Sequence, residues 1–437
     1  MTQLVVRQAR GLTGAIRVAG DKSVSHRAAL VGALASGPTE VSGFLEAEDC
    51  LNTLRALQAL GVEVTRKEPG RYRIDGVGLQ GFQEPDGVLD CGNSGTSARL
   101  LLGLLASQPF WSVLSGDDSL RRRPMERVAR PLREMGATVV GRQDGARLPL
   151  AIRGGRPLRG GRYRLSVASA QVKSALLLAG VAADAPVTVE EPEQSRDHTE
   201  RMLSSFGARI ERDAHTVTLF PEGELRGQRL QVPGDFSSAA FFLVAACVVP
   251  DSELTIRGVG MNPTRTGLLD ALREMGADVR VAELASEGEP TATLTVRSSR
   301  LRGVRVEGSR VPRLIDELPV LAVAAAAAEG VTEVSGAREL RVKESDRVST
   351  LTSELGKLGV WIEEREDGFV IRGGARLSGA RVSSHGDHRI AMALAIAGLR
   401  AEGETVIEDT ACIATSFPDF VSTLRTLTGD ACVTTAP

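Results

Sequence analysis

Residues 54–64, LRALQALGVEV, read as an amphipathic helix that stops at Gly61 and turns into a strand. The pattern returns as LREMGATVV at 132–140, MLSSFGARIE at 202–211, ALREMGADVR at 271–280 and LGKLGVWIE at 355–363. A looser sixth copy is STLRTLTGDACV at 422–433. The glycines at 61, 136, 207, 276, 359 and 429 recur at intervals of roughly 70–80 residues, the signature of an internal repeat. A helix that ends in a left-handed turn needs a residue without a Cβ, so each glycine predicts a helix C-terminus.

Upstream of each lies a more apolar helix. These read SVSHRAALVGALA (23–35), GTSARLLLGLLA (95–106), SAQVKSALLLAGVA (169–182), FSSAAFFLVAACVV (236–249), DELPVLAVAAAAAEG (316–330) and DHRIAMALAIAGLR (387–400). Helices apolar on nearly every face belong inside a core. With strand-like stretches such as TEVSGF, RYRIDG and GFVIRGG between them, the unit is helix, strand, helix, strand and strand, six times over. This is an α/β chain. Its 437 residues are too many for one ordinary core, so two or three domains are expected.

Composition narrows the function. A net charge of -2 gives no bulk attraction to nucleic acid or an anionic membrane, so any anion site must be local. Only five of the 53 cationic residues are lysine, and arginine forks suit phosphate and carboxylate. Five widely spaced cysteines without a C-x-x-C pair argue against a disulfide scaffold or zinc site. The N-terminus lacks the build of a signal peptide, and the longest apolar run, Ala239 to Val249, stops at Pro250, too short for a bilayer. A cytoplasmic protein is expected. There is no phosphate-loop lysine motif, dinucleotide fingerprint or H-E-x-x-H, so neither a metal nor a cofactor is expected.

The starts of the six apolar helices carry unlike polar sets, where a scaffold would repeat its caps. The first is entered through Asp21-Lys22-Ser23, with Arg27 four residues beyond Ser23. A helix N-terminus offers free N–H groups and the positive end of a dipole, so these side chains make an anion cradle. The second begins GNSGTSAR, where Gly95 lets a ligand approach the backbone and Arg99 returns to the same face. Arg121-Arg122-Arg123-Pro124 is the densest positive cluster, and Pro124 reads as fixing a helix start. Ser169 and Gln171 at the third start are uncharged hydrogen-bonding groups, and Arg196-Asp197-His198 opens a further helix. The fifth start brings Asp316 as a candidate cap. Beyond it, Lys343 and Arg347 read as one helix face with Glu344 beside them, and the sixth start is Asp387-His388-Arg389. Asp235 to Ser238, at the fourth, reads as a cap and hinge.

The blocks GDKSVSHR, GNSGTSAR, RRPMERV, ASAQVKSA, RDHTE, NPTRTG, LRVKESDR, DHRIAMA and TSFPDF, in that order from residue 20 to 420, resemble the 5-enolpyruvylshikimate-3-phosphate synthase family of enolpyruvyl transferases, in its bacterial second class. The resemblance implies two domains of three βαβαββ units each, closing over the substrates. Residues 20–233 would form one, and 1–19 with 234–437 the other, the N-terminal strand included. It implies transfer of the enolpyruvyl group of phosphoenolpyruvate to the 5-hydroxyl of shikimate 3-phosphate, with phosphate released, on the route to chorismate and the aromatic amino acids. A monomer using these two small substrates, with no nucleic acid and no membrane, is expected.

By the family pattern, Lys22, Ser23, Arg27, Ser169, Gln171, Arg196, Asp316 and Lys343 hold shikimate 3-phosphate. Lys22, Gly95, Arg123, Gln171, Arg347 and Arg389 hold phosphoenolpyruvate. Asp316 is assigned as base for the hydroxyl, and Glu344, helped by Lys22, as donor to the enol carbon. A carboxyl beside phosphates is expected to hold its proton more tightly, as a donor near neutral pH requires. Two nearby acids titrate as a coupled pair, which leaves open which handles which proton. Two positions depart from the pattern: Thr415 stands where many members carry lysine, and Ala170 where many carry a second serine. Gly95, where glyphosate-tolerant members typically have alanine, implies sensitivity to that inhibitor. The sister reaction on UDP-N-acetylglucosamine is disfavoured, because its enzymes typically have Lys-Asn at Lys22-Ser23 and a reactive cysteine after the second helix, and 108–130 contains none. A noncatalytic repeat protein that binds phosphorylated metabolites is the alternative from another class.

Overall fold

The computed structural model describes residues 3–155, 157–284 and 288–436. The chain divides into two compact units, one spanning Gly20–Val232 and the other joining Met1–Ala19 to Pro233–Pro437. Residues 1, 2, 156, 285–287 and 437, which the sequence reading assigned to domains, lie outside the described residues.

Within each unit, three buried helices pack on one another: Lys22–Leu34, Gly95–Leu105 and Ala170–Gly180 in the first, and Phe236–Val248, Leu318–Ala327 and His388–Gly398 in the second. Every residue of Phe236–Val248 is buried, and Gly95–Leu105 buries Leu100, Leu101, Leu102, Leu104 and Leu105. Each of the buried Phe, Leu and Val side chains contributes about 1.5–3 kcal/mol by leaving water. The partner helices are two-faced. Glu126–Glu134 buries Val128, Ala129, Pro131 and Leu132 and leaves Arg130 and Glu134 exposed, the spacing of a helix lying on a core. Each partner helix ends as expected: Gly61, Gly136, Gly207, Gly276, Gly359 and Gly429 all have φ between 85° and 110°.

The described residues form six four-stranded sheets with one topology. In three of them, a strand before the buried helix pairs in parallel with the strand after it, and the two strands following the partner helix complete the sheet antiparallel. In one example, Leu89–Asp90 pairs in parallel with Trp111–Ser115, which pairs antiparallel with Arg147–Arg153, and that strand with Thr138–Gly141.

Three sheets take a strand from outside their own repeat. Thr13–Arg17 leads into the first buried helix, yet pairs with Glu253–Gly260 of the fourth repeat. The first repeat is completed instead by Arg229–Gln231, parallel to Ser36–Ser42. In the sixth, the N-terminal strand Gln3–Arg7 lies between Glu404–Glu408 and Val433–Ala436. Because a β-strand can pair only through its edges, these exchanges fix which stretch of chain belongs to which unit.

Two local expectations are corrected. Pro124 does not begin a helix: a short helix, Asp118–Arg122, ends at Arg123, Pro124 follows, and the next helix starts at Glu126. Lys343 and Arg347 do not share a helix face, because the chain is a short 3-10 turn over Arg338–Val342 and the helix begins at Arg347.

Candidate active site

In the unit Gly20–Val232, the polar residues gather where the buried helices begin. Asp21, not Ser23, caps the first helix, its Oδ1 accepting from the Val24 N–H at 2.9 Å. That leaves Lys22 and Ser23 on the first turn, and Lys22 Nζ is held 3.0 Å from Asp49 Oδ2. Arg27 is buried, and its fork is fully engaged: it donates to the Ser23 carbonyl at 2.9 Å, Thr199 Oγ1 at 2.6 Å and Ser174 Oγ at 2.7 Å. The guanidinium thus ties the first helix to the third. Between Lys22 and Arg27, His26 is wholly buried, with Nδ1 2.8 Å from Thr53 Oγ1. Burial first, then Lys22 and Arg27, holds its pKa well below the usual histidine value, so the ring adds no charge.

At the second start Ser94 is the cap. A Cβ added at Gly95 would lie 2.7 Å from Arg99 Nη1 and 3.2 Å from Arg123 Nη1, so glycine lets two guanidinium groups close over the helix entrance. Arg123 donates to Asn93 Oδ1 at 2.6 Å, and Arg99 to Gln171 Oε1 at 2.6 Å. Gln171 in turn donates to Thr96 Oγ1 at 2.9 Å. Ser169 caps the third buried helix. Arg196 is half-buried, just before the N-cap Asp197 of the helix His198–Ser205.

The other unit carries the acids. Asp316 is not a helix cap as expected. Glu317 occupies the N-cap position of Leu318–Ala327, without a side-chain cap bond, and Asp316 lies one residue earlier. The Asp316 carboxylate is left to side chains: Arg347 Nη1 is 3.3 Å away, Lys343 Nζ 3.6 Å and Arg389 Nη2 3.6 Å. Arg389 also donates to the Asp316 carbonyl at 3.0 Å. Arg347, 1% exposed, donates to Glu344 Oε2 at 2.6 Å and to Asp387 Oδ2 at 2.8 Å. Burial opposes its charge, but Asp387, Glu344 and Asp316 outweigh that, and its pKa is raised. Lys343 goes the other way. Burial lowers its pKa, with Arg347 adding to the effect and Asp316 opposing it.

Thus Asp316, Lys343, Glu344, Arg347 and Arg389 form one cluster, while Lys22, Ser23, Arg27, Gly95, Arg123, Ser169, Gln171 and Arg196 belong to the other unit. No group of three or more acids, histidines or cysteines able to hold a metal occurs among the described residues, and no helix among them is long and apolar enough to cross a membrane.

The arrangement has known relatives. The family model described as EPSP synthase (3-phosphoshikimate 1-carboxyvinyltransferase) matches residues 6–424. The chain belongs to the EPSP synthase family. The 3-phosphoshikimate 1-carboxyvinyltransferase of Desulforudis audaxviator is 56% identical over 425 residues, covering 97% of this chain and 99% of that protein. That of Geobacter sulfurreducens is 55% identical over 425 residues, with the same coverage. The 2.37 Å structure of EPSP synthase from Acinetobacter baumannii superposes with a TM-score of 0.89 at 43% identity, covering 100% of both chains. The two-domain α/β architecture expected of an EPSP synthase, with six repeats, is therefore the fold of this chain.

Several of the contacts that build these clusters escaped the sequence reading. Asp49, Asn93, Thr199 and Asp387 hold Lys22, Arg123, Arg27 and Arg347 respectively. An acid, amide or hydroxyl near a helix start was the available signal, but nothing in the sequence says which cation it meets. The fourth start is more than a cap and hinge. Arg265, 3% exposed, donates to Ser237 Oγ at 2.6 Å and lies 3.1 Å from Asp235 Oδ1, and Ser237 Oγ donates to the buried Glu317. The fourth start is thereby bonded to the residue beside Asp316. Thr415, where many EPSP synthases carry lysine, donates to the Cys412 carbonyl at 2.7 Å and lies 3.4 Å from His388 Nδ1. It brings no charge to the cluster.

Proposed function

We propose that this chain transfers the enolpyruvyl group of phosphoenolpyruvate to the 5-hydroxyl of shikimate 3-phosphate, giving 5-enolpyruvylshikimate 3-phosphate and phosphate, on the route to chorismate and the aromatic amino acids. The observation that carries the reading is the Asp316 carboxylate set under three cations, Lys343, Arg347 and Arg389, in a chain whose length matches its EPSP synthase relatives almost end to end.

The reaction must bring two polyanions together. Their repulsion costs several kcal/mol unless cations screen it, and each charge-assisted hydrogen bond returns about 1.5–3 kcal/mol. Lys22, Ser23, Arg27, Ser169, Gln171, Arg196, Asp316 and Lys343 hold shikimate 3-phosphate. Lys22, Gly95, Arg123, Gln171, Arg347 and Arg389 hold phosphoenolpyruvate. In the free chain, Asp316 and Glu344 spend their charge on cations. Substrate anions compete for those cations, which leaves Asp316 a better proton acceptor and drives Glu344 to take up a proton. Glu344, assisted by Lys22, then protonates the methylene carbon of phosphoenolpyruvate. The 5-hydroxyl oxygen attacks the adjacent carbon as its proton passes to Asp316. The tetrahedral adduct then returns a methyl proton to Glu344 and expels phosphate, which leaves with the proton that Asp316 had taken from the hydroxyl. Excluding water protects the cationic carbon from hydrolysis.

The chain is read as a cytoplasmic monomer that needs no cofactor, with 20–233 as one domain and 1–19 with 234–437 as the other. Phosphate release on mixing shikimate 3-phosphate and phosphoenolpyruvate tests the reaction. Release only with UDP-N-acetylglucosamine as acceptor would move the assignment to the sister reaction, and binding of both ligands with no release would make the chain a noncatalytic binder.

A further inference from the structure

The buried helix Ala170–Gly180 carries a charge that the mechanism does not use. Lys173, two residues after Gln171, is 1% exposed. Its ammonium donates to Glu191 Oε2 at 2.7 Å, lies 2.8 Å from Glu200 Oε1, and donates to the Ser195 carbonyl at 3.4 Å. Both glutamates are buried as well. Glu191 also accepts from the Ser195 N–H at 3.4 Å and from the Ser195 hydroxyl.

This ammonium clips one stretch of chain at both ends. Glu191 and Glu200 bracket the segment that contains Arg196, and Ser195, next to Arg196, is fastened in the middle. Thr199, next to Glu200, is the hydroxyl 2.6 Å from Arg27 Nε, and it is also 2.6 Å from Ser174 Oγ on the lysine's own helix. One buried group therefore sets the backbone on either side of Arg196 and, next to Glu200, the position of Thr199, which holds the Arg27 guanidinium.

A buried ion triad is a poor way to gain stability, because well-packed apolar side chains of similar volume often do as well or better. A reason to keep it is geometry. An arginine whose backbone is fixed before the ligand arrives loses less freedom on binding, and affinity rises accordingly.

We infer that Lys173, with Glu191 and Glu200, is a positioning residue for shikimate 3-phosphate, pre-setting Arg196 and Arg27 without touching the substrate. The inference rests on the assignment of those two arginines to shikimate 3-phosphate under the proposed function.

Lys173→Met is a poor test, because it strands two buried carboxylates. Glu191→Leu leaves Lys173 and Glu200 as a neutral pair while removing both hydrogen bonds from Ser195 to Glu191, so that only the longer Lys173 contact to the Ser195 carbonyl remains. The expected result is a KM and a calorimetric Kd for shikimate 3-phosphate raised about tenfold, with kcat and the KM for phosphoenolpyruvate within about twofold. Glu191→Gln, which still accepts a hydrogen bond, should recover most of the loss. Backbone amide exchange at 192–199 should quicken in Glu191→Leu. Faster exchange with an unchanged KM for shikimate 3-phosphate overturns the positioning role, as does an equal fall in all kinetic constants. Absence of phosphate release from the wild-type chain instead marks failure of the reaction assignment.

Discussion

Arg347 donates through Nη2 to Glu344 Oε2 at 2.6 Å, so the group assigned as proton donor begins as a paired carboxylate. The same guanidinium contacts Asp316 and Asp387. Three acids therefore share one nearly inaccessible cation.

Replacing that cation should be costly. Arg347→Met leaves the carboxylates of Glu344, Asp316 and Asp387 facing one another in a largely buried pocket, and removing one partner of a buried pair costs about 3–5 kcal/mol. Denaturant unfolding followed by circular dichroism should show a loss of that size. A variant as stable as wild type would mean that the cluster relaxes or takes in water.

The two acids should separate rate from binding. Asp316→Ala and Glu344→Ala are each expected to lower kcat by about 10²–10⁴-fold, the usual worth of a positioned acid or base. Calorimetric binding of shikimate 3-phosphate should survive in both, since the other residues assigned to that ligand remain. Parallel losses of rate and affinity would remove Asp316 from the role of base.

Gly95→Ala should act on phosphoenolpyruvate alone. The new Cβ would crowd the mobile ends of Arg99 and Arg123 rather than backbone, so folding should be unaffected while one charge-assisted bond is weakened. The KM for phosphoenolpyruvate should rise by about tenfold or more, and the glyphosate concentration for half-inhibition with it. A wild-type inhibition curve that stays flat at millimolar glyphosate would sink the argument that Gly95 leaves room for the inhibitor.

Histidine 26 supplies a pH signature. Its folded pKa is well below the ordinary value, whereas in the unfolded chain it titrates near 6.5. Below about pH 6.5 the unfolded state therefore holds more protons, and stability falls as pH falls, by up to about 1.4 kcal/mol per pH unit until the folded pKa is reached. His26→Gln should remove that share of the slope. Identical slopes for the two proteins between pH 6.5 and pH 5 would show that the ring charges freely in the fold.

Much of the architecture was legible because it is local. A glycine that must adopt positive φ marks a helix end wherever it stands, and six of them exposed the repeat. An all-apolar helix must be buried whatever covers it. The candidate polar residues were legible for a related reason, since a helix start presents its first-turn side chains together with its free N–H groups. Pro124 and the 343–347 stretch misled because a proline or an i, i+4 spacing has its helical meaning only when a helix is present.

By itself, then, the sequence determined the repeat, the buried helices, the family and most of the polar positions proposed for the site. The tertiary structure alone decided which strands complete which sheets. Thr13–Arg17, Arg229–Gln231 and Gln3–Arg7 each pair with chain far away in sequence, and a strand's pattern does not name the edge that will take it. It alone decided the partners of the charges too. Lys22 meets Asp49, Lys173 meets Glu191 and Glu200, and Arg265 joins the fourth helix start to the fifth. Ion pairs depend on distance and burial, and neither is written in the order of residues along a chain.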